Sequence, residues 1–118
     1  MTFDTSNDPI VDIQNLSRSC NQILILSTLA EGPHHGYQLA LEIEERSGGV
    51  FRFRHGTLYP ILHKLESDGL IRGDWLEETS QRRRKSYQLT AAGRRHLESE
   101  SAAWRGFFDR FFQVVGEV

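Results

Sequence analysis

Residues 56–71 read Gly56-Thr57-Leu58-Tyr59-Pro60-Ile61-Leu62-His63-Lys64-Leu65-Glu66-Ser67-Asp68-Gly69-Leu70-Ile71. Leu58, Ile61, Leu62 and Leu65 stand at offsets of zero, three, four and seven, the spacing that gathers apolar side chains on one helical face. This predicts a helix from about Thr57 to Asp68 that Gly69 stops. Pro60 is expected in its first turn, where a missing N–H costs little. At about 100° per residue, the opposite face carries Pro60, His63, Lys64 and Ser67, with Gly56 nearby and Tyr59 at the edge. That face offers donors but no carboxylate, because Glu66 turns toward the boundary and Asp68 lies at the helix end. One side of the helix belongs to a core. The other meets either solvent or a partner, and the helix alone does not decide between them.

Working outward favours a partner. Downstream, residues 70–76 and 84–89 read as two strands around a polar, basic loop, which makes a hairpin. Its four consecutive cations, Arg82, Arg83, Arg84 and Lys85, repel one another and gain little in isolation, but each can neutralise a phosphate and release counterions. Glu77 and Glu78 across the turn leave an ordinary soluble loop as the alternative. Thr90 can cap a final helix whose apolar content is Leu97, Trp104, Phe107, Phe108, Phe111, Phe112 and Val115. Upstream, Ser19 can cap a helix carrying Ile23, Leu24, Leu26, Leu29 and Ala30, with Gly32-Pro33 as its stop. A second helix starts near Gly36 and carries Tyr37, Leu39, Ala40 and Ile43 before Ser47-Gly48-Gly49 ends it. Phe51 and Phe53 alternate with Arg52 and Arg54, which suggests a short extended stretch with the rings inward. Residues 1–9 read as a loose arm, and Ile10, Val11, Ile13 and Leu16 as a weakly amphipathic helix.

Three helices followed by a hairpin, with cations on the third helix and the hairpin tip, describe a mainly α fold with a small β-hairpin, a winged helix-turn-helix extended by a long C-terminal helix. The physical fit is to duplex DNA: a major groove about 12 Å wide admits one helix while a basic hairpin follows the phosphates beside it. The expected division is an arm and short helix at 1–19, the winged unit at 20–89 and the C-terminal helix at 90–118.

The 118 residues suit one domain, and 38% hydrophobic with 25% charged residues is ordinary for a globular chain. A net charge of −2 argues at first against a nucleic-acid partner. Its distribution reverses that argument. Up to residue 45 the only base is Arg18, whereas residues 52–85 hold Arg52, Arg54, Lys64, Arg72, Arg82, Arg83, Arg84 and Lys85. No apolar run approaches a membrane span and no signal peptide opens the chain, so a cytoplasmic protein is expected. The single cysteine, Cys20, fits a reducing compartment and reads as a small helix residue rather than a redox sensor.

The segments Gly32-Pro33-His34-His35-Gly36-Tyr37-Gln38-Leu39 and Gly56-Thr57-Leu58-Tyr59-Pro60, with Leu62, Leu65, Glu66 and Gly69-Leu70-Ile71, resemble the PadR-type repressors, as does Arg84-Lys85-Ser86-Tyr87-Gln88-Leu89-Thr90 with Gly93. The resemblance covers roughly residues 20 to 115. It implies a symmetric dimer joined through the C-terminal helices, with Thr57, Tyr59, His63 and Lys64 near DNA, and it places the chain in the short class of the family. Arg54 and His55 stand where Ser or Pro is common, so contacts at the start of the helix are expected to differ. Some short members bind flat aromatic effectors between subunits through a tryptophan, whose position Trp104 matches.

Dimerisation also follows from the residues alone. Leu97, Trp104 and Phe111 recur every seven residues, Phe107 or Phe108 fills the intermediate positions, and a small core cannot cover so much aromatic surface. A tryptophan there is either an effector contact or an interface anchor. An enzyme is disfavoured: His34 and His35 are adjacent rather than spaced for one helical face, no cysteine pair accompanies them, and no nucleophile or phosphate-loop motif occurs. No cofactor or metal is expected. A winged helix that binds protein rather than DNA remains the alternative.

Overall fold

A computed structural model describes residues 16–79 and 82–116. The expectations for residues 1–15, including Ile10, Val11 and Ile13, lie outside these residues, as do the side chains of Arg82 and Arg83. In chain order the described elements are α1 (Leu16–Leu29), β1 (His34–His35), α2 (Gly36–Arg46), α3 (His55–Ser67), β2 (Ile71–Thr79), β3 (Arg82–Leu89) and α4 (Ala91–Val115). The strands form an antiparallel sheet in the order β1-β3-β2. This is the expected mainly α winged helix with a small sheet.

The core is a single cluster. Ile25, Leu26 and Leu29 of α1, Leu39 and Ile43 of α2, Leu58, Leu62 and Leu65 of α3, Ile71 of β2 and Tyr87 of β3 are buried together. Ile61, the fourth member of the predicted stripe, packs partly buried at its margin. At the end of α3, Gly69 N–H donates to the Glu66 carbonyl and Leu70 N–H to the Leu65 carbonyl. This paired closure needs the positive φ of 76° at Gly69, which glycine adopts without a Cβ penalty.

Several local expectations change. The third helix starts at His55, so Pro60 lies in the second turn and withholds the N–H that the Gly56 carbonyl would otherwise accept. Burial of Leu58, Leu62 and Leu65 outweighs that loss. Ser19 does not cap α1, which begins at Leu16; its hydroxyl donates to Glu100 and accepts from the Trp104 indole on α4. Residues 51–54 form no strand, and Phe51 is 38% exposed while Phe53 packs on the core. Phe51 N–H is taken by the Ser47 hydroxyl at 3.0 Å, and Arg52 by the Gly49 carbonyl and Glu44, so local bonds win over strand pairing. The strand β1 was not anticipated, because two residues are too few to show alternation. It pairs His34 with Tyr87 and His35 with Ser86.

Thr90 caps α4 as expected. Its hydroxyl accepts from Gly93 N–H at 3.0 Å and donates to the Gly69 carbonyl at 2.7 Å, joining α4 to the end of α3. Gly93 sits so close to the chain that a Cβ there would overlap the Leu70 carbonyl oxygen and press on Leu89. Backbone cannot yield as a flexible side chain can. Gly93→Ala is therefore expected to cost about 2 kcal/mol or more, lowering Tm by roughly 8–16 °C in thermal denaturation at matched protein concentration. An unchanged Tm would show that α4 shifts freely at this point.

Candidate nucleic-acid interface

With one side of α3 in the core, the other is presented outward. Gly56, Thr57, Tyr59, Pro60, His63, Lys64 and Ser67 are all exposed, as their angular positions require. Lys64 pairs with Asp68 one turn on, at 3.1 Å between exposed groups, an arrangement that screening makes weak and that leaves the lysine available. Thr57, Tyr59, His63 and Lys64 thus share the solvent side of one helix.

The hairpin differs from the expected basic loop. Its strands extend to Thr79 and from Arg82, so Arg82 and Arg83, expected in the loop, join Arg84 and Lys85 on β3. Successive residues of a strand leave opposite faces, and Arg84 and Lys85 meet different surroundings. Arg84 is exposed. Lys85 instead turns toward α3, where its ammonium donates to Glu66 Oε1 at 2.7 Å and lies 5.5 and 5.4 Å from the ring centres of Trp75 and Tyr87. The other carboxylate oxygen of Glu66 accepts from Gly73 N–H of β2 at 3.2 Å.

Between the start of α2, α3 and the hairpin lies a cleft of about 540 Å³, lined by Tyr37, Tyr59, His63, Trp75 and Arg84, among others, with the Glu66–Lys85 pair inside it. Sequence reasoning missed this cleft and the parts that Glu66, Trp75 and Tyr37 play in it. The signal was present only in fragments: Glu66 sits at the boundary of the apolar stripe, and Trp75 and Lys85 fall on strands whose register brings them opposite each other.

The aromatic set divides along α4. Leu97 packs against the core, and Ala103 is buried. Trp104 is tied to α1 by its indole N–H on the Ser19 hydroxyl at 3.1 Å. Its ring lies 5.8 Å from Phe107 and 5.7 Å from Phe108, and Phe107 is stacked 6.5 Å from Phe111. Farther on, Phe108, Phe111, Phe112, Val114 and Val115 are exposed. The seven-residue recurrence of Leu97, Trp104 and Phe111 therefore runs from the protomer's own core to an uncovered end.

Other chemistry is sparse. His34 lies on β1, its ring nitrogens 2.7 Å from the Gly32 carbonyl and 2.6 Å from Glu42. Among the described residues no group of three or more His, Cys, Asp and Glu is arranged to hold a metal, and no helix is long and apolar enough to cross a membrane. Burial pushes the Cys20 thiol up, away from the thiolate that redox chemistry needs.

Residues 25–99 match the Transcriptional regulator PadR-like family. The chain belongs to that family. The transcriptional regulator Rv3488 of Mycobacterium tuberculosis is 33% identical over 91 residues, 77% of this chain and 81% of that protein. A PadR family transcription regulator from Clostridium difficile superposes with a TM-score of 0.70 at 35% identity, covering 80% of this chain and 97% of the other. Bacillus subtilis PadR, solved in complex with operator DNA, gives 0.63 at 28% identity, over 67% of this chain and 44% of that one. The chain also matches only 25% of the length of a relative from Streptomyces fradiae, at 40% identity. PadR-like proteins are transcriptional regulators rather than enzymes.

In this PadR-like chain the Glu66 carboxylate raises the Lys85 ammonium above the ordinary lysine value, while partial burial works in the opposite direction. Burial also raises the Tyr87 hydroxyl, which the neighbouring ammonium partly offsets. A lysine whose pKa is raised by folding contributes stability below its unfolded value of about 10.4, and loses it as pH climbs through the higher folded value. The Tm difference between the parent and Lys85→Met is expected to stay flat from about pH 6 to 9 and to shrink only above about pH 10.4. A difference that vanished between pH 6 and 9 would contradict this pairing.

Proposed function

We propose that this PadR-like regulator represses transcription by binding an inverted-repeat operator as a homodimer, with α3 in the major groove and the hairpin along the adjacent phosphates. The observation that carries this reading is the face of α3 on which Thr57, Tyr59, His63 and Lys64 are exposed together beside a strand bearing Arg82, Arg83 and Arg84. The operator complex of Bacillus subtilis PadR supports it by likeness. Base edges fall to α3, whose exposed face can enter the major groove where donors and acceptors are read, and phosphates fall to the basic hairpin beside it. Residues 20–89 then make the DNA-reading unit and 90–118 the joining one, at work in the cytoplasm.

Support for the dimer comes from α4. Exposed Phe108, Phe111 and Phe112 lie at the end of a helix that runs past the core, in a molecule 62 Å long and 29 Å across. A second copy of α4 supplies cover of matching chemistry, and two linked recognition helices meet half-sites about one turn of DNA apart. In the same reading a flat aromatic effector stacks on Trp104, with Phe107 and Phe108 beside it, and shifts the spacing of the two α3 helices. It regulates only if it binds the released arrangement more tightly than the operator-bound one.

Selection of bound duplexes from a random pool is expected to enrich an inverted repeat. On that sequence, replacing Arg82, Arg83 and Arg84 by Gln should weaken binding and reduce the slope of log affinity against log salt by roughly 0.9 for each lost phosphate contact. An unchanged slope and affinity would remove the hairpin from the interface.

Phe108→Asp with Phe111→Asp should convert a dimer to monomers by sedimentation, since burying carboxylates in an apolar seam costs several kcal/mol. A monomeric parent would refute the seam. Titrating aromatic compounds while comparing emission of the parent and Trp104→Phe tests the effector site, which quenching indifferent to Trp104 would place elsewhere.

A further inference from the structure

The proposal above assigns Arg82, Arg83 and Arg84 of β3 to phosphate, whereas Lys85, the next cation of the strand, is engaged with Glu66. One carboxylate, Glu66 of α3, holds both strands of the hairpin: Oε1 takes the Lys85 ammonium of β3, and Oε2 takes the Gly73 amide of β2. These strand residues are neighbours in the ladder, Gly73 opposite Tyr87 and Trp75 opposite Lys85. The lysine stem lies across Gly73, where a Cβ would overlap its Cε and approach Glu66 Oε2 to 2.9 Å. The ammonium is also held against Trp75 and Tyr87. With side chains 23% and 28% exposed, the pair is sheltered from the screening that weakens a surface ion pair.

A two-stranded hairpin has little stability or fixed direction of its own. In this hairpin Ile71 and Tyr87 are buried in the core, and both lie toward its base. From Trp75 and Lys85 outward it projects beyond that anchor and beyond the pairing of β1 with Tyr87 and Ser86, and the contacts that bridge to it there include the His35 ring, 3.4 Å from the Lys85 carbonyl, and the Glu66 carboxylate.

We propose that Glu66 and Lys85 form a tether that sets the angle of the hairpin against α3, making Lys85 a positioning residue rather than a phosphate contact. The proposal rests on the DNA-binding reading for its effect on affinity, but the tether itself can be read without DNA. Gly→Ala at 73 would displace the lysine stem and loosen the same joint.

The two roles predict opposite behaviour at Glu66. As a tether member, Glu66→Gln loosens the hairpin and weakens operator binding. As a mere anion beside DNA, its neutralisation would strengthen binding. Operator affinity is therefore measured over a salt series for the parent, Glu66→Gln, Lys85→Met, the double variant, Lys85→Arg and Arg84→Gln. Each single tether variant is expected to weaken binding about tenfold, the scale of one charge-assisted hydrogen bond, with an unchanged salt slope. The double variant should be no weaker than either single one, and Lys85→Arg should recover most of the loss. Arg84→Gln should instead lower the slope by roughly 0.9. Tighter binding by Glu66→Gln, or a reduced slope for Lys85→Met, would overturn the tether in favour of a phosphate contact.

Hydrogen exchange at the Gly73 amide in the absence of DNA supplies the independent reading. It should accelerate about tenfold in Glu66→Leu, which leaves no side-chain acceptor for that amide, with the buried core amides unchanged as the control for folding. Unaltered Gly73 exchange overturns the tether whatever the DNA result. A parent that binds no duplex overturns the DNA reading, while Gly73 exchange still decides the tether.

Discussion

Burial of Leu58, Leu62 and Leu65 settles the rotation of α3 about its own axis, and the outer features of the molecule take their positions from that rotation. A helix with three side chains locked in a close-packed core cannot turn to offer another face without opening cavities. Tyr59, His63 and Lys64 are therefore held outward as one surface, and Glu66 is held at its margin, within reach of the hairpin. The same core takes Tyr87 from β3 and Ile71 from β2, so the base of the hairpin is seated on the helix it flanks.

Around that seat, polar contacts couple elements that the core alone would leave loosely related. Thr90 bridges the end of α3 to the start of α4, through the Gly69 carbonyl on one side and the Gly93 amide on the other. Ser19 bridges α1 to Glu100 and Trp104 at the middle of α4. The far end of α4 projects from the core with its aromatic residues uncovered. In the dimer proposed above, the two bridges would link the spacing of the α3 helices to the seam that an effector at Trp104 would have to alter.

The charge distribution follows the same division of labour. A slightly acidic whole conceals an acidic first third and a basic middle, and the basic middle is where α3 and β3 lie. Its cations are not equivalent. Lys64 is exposed beside Asp68, Arg84 is exposed on the strand, and Lys85 is committed to Glu66. Counting charges in the run Arg82 to Lys85 measures the field around the hairpin but not the assignment of each residue within it.

How much of this was legible varied with the range of the interaction. The apolar spacing on α3, the Thr90 cap and the Gly69 stop are local, and each could be read from residues within two turns of one another. Together with the hairpin pattern and the motifs at Gly32–Leu39 and Gly56–Pro60, they determined the winged fold and the family before any tertiary contact was known. The start of α3, the fate of Ser19, the half-exposed Phe51 and the short β1 were misread or unseen because competing partners decided them. Ser19 meets Trp104 across 85 positions, and Lys85 meets Glu66 across 19. Periodicity tells which side of an element is apolar, but it carries no information on the crossing angles that bring two elements together. Those angles come from the packing of all the elements at once, and so only the tertiary structure could place one carboxylate against both strands of the hairpin.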